Sequence, residues 1–86
     1  PTLIERIRGV IFEEDQGEIV GTVREVIERF GYIEPSQFGK DILLVEDKLA
    51  EFGIDIVKNR TQKQRHIRIY ENKESPDHPL RQAHLI

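Results

Sequence analysis

The stretch AEFGIDIVKNRTQKQRHIRIY, Ala50 to Tyr70, decides how this chain is read. Phe52 closes an apolar helical stripe, and Gly53 stands at C′, where a helix end favours a left-handed residue. Ile54, Ile56 and Val57 then begin a strand. His66, Arg68 and Tyr70 alternate with Ile67, Ile69 and Glu71, a period of two that turns Ile67 and Ile69 to a core. Between them, Asn59 to Arg65 is polar and without an apolar anchor. It reads as a hairpin loop longer than the favoured two-residue type, mobile when free.

Charge singles out the same hairpin. Residues 1–55 carry six Lys/Arg against thirteen Asp/Glu, a balance of −7, and residues 56–86 carry seven against three, a balance of +4. Between Lys58 and Arg68 there are five basic residues and no acidic one. A chain acidic overall but segregated in this way can still present a basic element to a polyanion.

Upstream, Ile42, Val45, Leu49 and Phe52 share one helical face, widened by Leu43 and Leu44, and the helix they mark is expected to start near Lys40 or Asp41. Pro35 pushes Glu34 out of the α region, and Ser36 is a candidate N-cap. Ile19, Val20, Val23, Val26, Ile27 and Phe30 predict an earlier helix from Glu18 to Phe30. Gly31 would be its C′ residue, with Glu25 and Arg29 as an i, i+4 pair. At the N-terminus Thr2 and Glu5 fit a capping box. Leu3, Ile4, Ile7, Val10 and Ile11 follow helical spacing to an end between Phe12 and Glu14, a strand over Arg8–Phe12 is the competing reading, and Asp15-Gln16-Gly17 is a turn signal either way.

Eighty-six residues allow one small domain, expected over 1–71, with 72–86 as a polar tail or linker holding two prolines. Without cysteine, neither a disulfide nor a thiolate metal site can stabilise it. No apolar run approaches a membrane span, PTLIERIRG lacks a signal-peptide pattern, and the expected compartment is the cytoplasm. His66, His78 and His84 have no metal-ligand spacing, and Glu13, Glu14, Asp15 and Glu18 lack the ligand order of a calcium loop. No phosphate loop, nucleophile–base constellation, metal site or cofactor site is implied, and the expectation is a protein that is not an enzyme.

The order helix, helix, turn, helix, strand, basic hairpin over residues 3–71 resembles the winged helix-turn-helix superfamily. The resemblance implies an α+β fold of three helices followed by a β-hairpin wing, and binding of double-stranded DNA, as a regulator or as the targeting domain of a larger protein. Carried onto this sequence, Ser36, Gln37 and Lys40 would open the recognition helix. Lys58, Arg60, Lys63, Arg65 and Arg68 would form the wing, and Gln64 or Asn59 could read a base edge. Asp41, Glu46, Asp47 and Glu51 depart from that pattern, because carboxylates in the middle of the helix would face phosphates. Either the helix enters only by its N-terminal end, or the wing does most of the binding, or the domain binds protein. The same charge division suits a protein-interaction module or a homodimer instead.

A second pattern, Gly21-Thr-Val23, Phe30-Gly-Tyr-Ile33 and Gly39-Lys-Asp-Ile42, resembles the cold-shock domain. That family implies a single-stranded nucleic-acid binder with strands at Thr22–Val26 and Ile42–Val45. Phe30 and Tyr32 match its stacking aromatics. Leu43, Leu44 and Val45 stand where the family has Phe, Phe and His.

Overall fold

Ile19, Ile67, Ile69 and Ile54 make one face of an antiparallel sheet that three helices cover. The computed structural model describes residues 2–14 and 17–74. Its elements are α1 (Leu3–Gly9), a π-helical turn (Val10–Glu14), β1 (Glu18–Thr22), α2 (Val23–Arg29), α3 (Pro35–Glu51), β2 (Ile54–Arg60) and β3 (Arg65–Glu71). The last strand lies in the middle of the sheet, in the order β1-β3-β2. Register runs Ile19↔Ile69 and Gly21↔Ile67 on one side of β3, and Ile56↔Ile69 and Lys58↔Ile67 on the other. Residues paired across strands point to the same face, so this register sets Ile19, Ile67 and Ile69 together against the helices.

The expected helix over Glu18–Phe30 is two elements. Glu18 to Thr22 is a strand, in which Ile19 is buried and Val20, on the opposite pleat, is 64% exposed. Helix α2 starts only at Val23, because Thr22 caps it. The Thr22 hydroxyl accepts from the Glu25 amide at 3.2 Å, and the Glu25 carboxylate accepts from the Thr22 amide at 3.0 Å. The same reciprocal box forms between Thr2 and Glu5, as expected there. Both boxes satisfy amides that a helix start leaves without partners.

Helix α3 begins at Pro35, about five residues earlier than its stripe suggested, with proline at the first position, where no amide is needed. Ser36 therefore lies inside the helix rather than capping it. The earlier start adds Phe38 to the buried face, with Ile42 and Leu49, while Leu43 and Leu44 point to solvent at 63% and 82% exposure. Gly31 and Gly53 follow α2 and α3 at φ 79° and 77°, the left-handed backbone that ends a helix.

Among the described residues twelve buried apolar side chains form one cluster: Ile7, Ile11, Ile19, Val26, Ile27, Phe30, Phe38, Ile42, Leu49, Ile54, Ile67 and Ile69. Each such side chain contributes roughly 1.5–3 kcal/mol on leaving water. Rings join the elements at one end: Phe38 stacks near Phe30 at 6.4 Å and meets Tyr32 edge-on at 5.1 Å. Arg8 lies over the Phe52 ring at 4.0 Å, tying α1 to the end of α3. Asn72, placed at the head of the expected tail, is anchored to the sheet through Gly53 O (2.7 Å) and Asp55 Oδ2 (2.7 Å). His78, His84, the segment 80–86, and Asp15-Gln16 of the expected turn lie outside the described residues. Of the segments that the cold-shock pattern needs as strands, Thr22–Val26 and Ile42–Val45, Thr22 ends β1 and the remainder is helical.

Candidate nucleic-acid interface

The hairpin strands run further than expected. Pairing continues to Arg60↔Arg65, so the loop shrinks to Thr61–Gln64. Thr61 closes it: its amide donates to Gln64 O at 2.9 Å, its hydroxyl donates to the same carbonyl at 3.1 Å, and the Gln64 amide donates to that hydroxyl at 3.2 Å. A threonine bonded to backbone in this way substitutes for ladder bonds that a wider loop loses. The apex is Gln62 and Lys63.

Pleating then sorts the basic side chains. Lys58 is paired with the buried Ile67, and Arg60 with Arg65, so Lys58, Arg60 and Arg65 lie on the helix side of the hairpin, beyond the edge of the core. Opposite them is the start of α3. Between the two runs a groove of about 230 Å³, floored by Val23, Pro35, Phe38 and Ile42 and rimmed by Lys58, Arg60 and Arg65. A second depression continues it, with Arg24 and Pro35 on one wall and Lys63, Gln64 and Arg65 on the other. Among the described residues none of Arg24, Lys58, Arg60, Lys63 and Arg65 is paired with a carboxylate, and all five are exposed.

Arg68 is separated from this group. It pairs with Val20 and Val57 on the opposite face of the sheet. There its guanidinium is bonded to Glu18 and lies over the Tyr70 ring at 3.9 Å. The expected wing thus divides into a hairpin group facing α3 and an arginine already neutralised behind it. Asn59, beside His66 in register, stands on that same far pleat.

Ser36, Gln37 and Lys40 are exposed on the first two turns of α3. Gln37 is oriented by its own helix: its amide donates to Asp41 Oδ1 at 3.0 Å, while Asp41 Oδ2 accepts from the Tyr32 hydroxyl at 2.6 Å. That bond to a carboxylate pushes the Tyr32 phenol above its ordinary pKa. Asp41, on α3, is therefore engaged with Tyr32 of the turn that precedes the helix, not simply aimed at solvent. Glu34, the N-cap residue, makes no side-chain capping bond. The first amides of α3 carry the positive end of a seventeen-residue helix at the mouth of the groove.

Arg24 is the residue that sequence reasoning missed. In one continuous helix from Glu18 it falls on the solvent face. With the helix starting at Val23 it occupies the first turn and faces the hairpin. The signal was present as Thr22-x-x-Glu25, a capping box inside the apolar run. In that box the Thr22 amide and hydroxyl, with His66 nearby, hold the Glu25 carboxyl below its ordinary pKa. The site presents unneutralised cations, a helix N-terminus and an apolar floor, which suits binding of an anionic chain. Among the described residues no three His, Asp or Glu side chains converge to hold a metal, and no helix is long and apolar enough to cross a membrane. The chain matches no protein-family model, no curated protein and no solved structure.

Proposed function

We propose that this chain is a winged-helix module that binds duplex DNA mainly by phosphate contacts from its hairpin, with the N-terminal end of α3 directed into the same interface. One observation carries the reading. Arg24, Lys58, Arg60, Lys63 and Arg65 come from α2, β2, the hairpin loop and β3, converge on one side of the molecule, and have no carboxylate partner among the described residues. Unneutralised cations clustered on an acidic chain cost self-repulsion, and a polyanion relieves it. The element order α1-β1-α2-α3-β2-β3 with sheet order β1-β3-β2 supports the fold assignment.

The acidic middle of α3 bears on the geometry of binding. Glu46, Asp47 and Glu51 lie at the far end of the helix from the hairpin groove, whose α3 lining stops at Ile42. A helix entering a groove end-on keeps those carboxylates away from phosphates, whereas one lying along it does not. Lys40, Ser36 and the Gln37 amide are then the α3 groups within reach of DNA, and Gln64 is the hairpin group able to contact a base edge.

Fluorescence anisotropy with a labelled random duplex, at about 50 and 200 mM salt, tests the proposal. Micromolar binding that collapses over that interval supports it. Absence of binding at the lower salt refutes it.

A further inference from the structure

Helix α3 carries a second surface, which shares only Lys40 with the proposed DNA contacts. Leu43 and Leu44 are 63% and 82% exposed at the centre of its outward face. Along the same face lie Lys40 and Asp47, both exposed and neither in an ion pair among the described residues. Their placement is symmetric. Lys40 and Asp47 are each three and a half residues from the Leu43–Leu44 peptide, roughly 5 Å along the helix axis to either side. Seven residues also return nearly to the same angle, so both charges stand on one line with the leucines between them.

We infer that this face binds a second copy of the chain, with the two α3 helices antiparallel and the two-fold axis passing between Leu43 and Leu44. That operation lays the leucines of one protomer on those of the other. It also sets Lys40 of each opposite Asp47 of its partner, so the contact holds two pairs of opposite charge. A parallel arrangement would instead face Lys40 with Lys40 and Asp47 with Asp47. The contact is a small one, two turns of each helix, which gives a dimer that forms in the micromolar to millimolar range rather than an obligate one. It shares Lys40 with the proposed DNA contacts but uses none of Arg24, Lys58, Arg60, Lys63 or Arg65, and it is measured in the absence of DNA.

Charge-swap variants measured by sedimentation equilibrium without DNA test the arrangement. Lys40→Glu alone and Asp47→Lys alone each place two like-charge pairs in the contact, and each is expected to raise the dimer dissociation constant about tenfold or more. Mixing these two variants restores both pairs in the mixed dimer, because Glu at 40 of one chain meets Lys at 47 of the other, and Asp47 of the first meets Lys40 of the second. The mixture should therefore associate nearly as strongly as the unaltered chain. All four charges are at exposed positions, so folding is retained and is checked by circular dichroism. A chain that remains monomeric to millimolar concentration overturns the inference. So does a mixture that associates no better than its components, or single variants whose self-association is unchanged.

Discussion

Removing two hairpin cations should change the salt dependence of DNA binding by an amount set by their number. Five cations face the groove and its continuation: Arg24, Lys58, Arg60, Lys63 and Arg65. If each neutralises one phosphate, log K falls against log salt with a slope of about −4.5, and a fourfold rise in salt weakens binding about 500-fold. The variant Arg60→Ala/Lys63→Ala leaves three such contacts. Its slope should be about −2.7, and the same rise in salt should weaken binding only about 40-fold. Both positions are exposed and outside the core, so stability should stay within about 0.5 kcal/mol and the comparison reports contacts alone. Lys73→Ala is the control. It follows Asn72, which is bonded to Gly53 at the opposite end of the sheet from the hairpin turn, so its removal should leave the slope as it was. Anisotropy titrations of a labelled duplex at several salt concentrations give all three slopes. A double-variant slope equal to that of the unaltered chain, or an equal loss from Lys73→Ala, would refute the assignment of phosphate contacts to this face.

Phe38→Ala empties a site that touches the Phe30 and Tyr32 rings, and should cost about 3–5 kcal/mol, enough to unfold much of so small a domain; urea denaturation followed by circular dichroism measures it. Thr22→Ala removes one cap of α2 and should cost about 1 kcal/mol, read as a melting temperature lower by several degrees. The Glu25 carboxyl is held below its ordinary value in the folded chain, so its contribution is complete above that ordinary value and is lost as pH falls through the lower folded one; Glu25→Gln should flatten the stability–pH curve in that acid window. Asp41→Asn removes the carboxylate that raises Tyr32, and ultraviolet titration should find the phenol ionising at lower pH, nearer its ordinary range. An unmoved titration would mean that the bond to Asp41 does not form in solution.

The hairpin was legible because its two signals, alternation at Ile67 and Ile69 and a glycine at Gly53, are local. So were the Thr2 capping box and both helix ends. Strand β1 was not. Ile19, Val20 and Val23 fit helical spacing as well as a strand's, and only pairing with β3, some fifty residues away, settles the choice. Val20 shows how a periodicity misleads: counted in an apolar stripe, it faces solvent on the far pleat. Leu43 and Leu44 show the converse limit. Hydrophobicity placed them inside, but the true face of α3 begins at Phe38, one turn earlier, and turns them outward. Of the candidate interface, Lys58, Arg60, Lys63 and Arg65 were visible as a charge run. That Arg68 is taken by Glu18 and Tyr70, and that Arg24 joins the group, depended on which pleat and which turn each occupies.

The most direct test of the whole account is backbone amide chemical-shift mapping of the isotopically labelled chain with a short duplex. End-on entry with hairpin contacts predicts that the largest changes fall at Arg24, at Ser36 to Lys40 and from Lys58 to Arg65. Asp47 to Glu51, the Glu18–Arg68 face and Asn72 should remain in place. Changes centred on Asp47 to Glu51 or on the outer face of the sheet, with the hairpin unmoved, would contradict it.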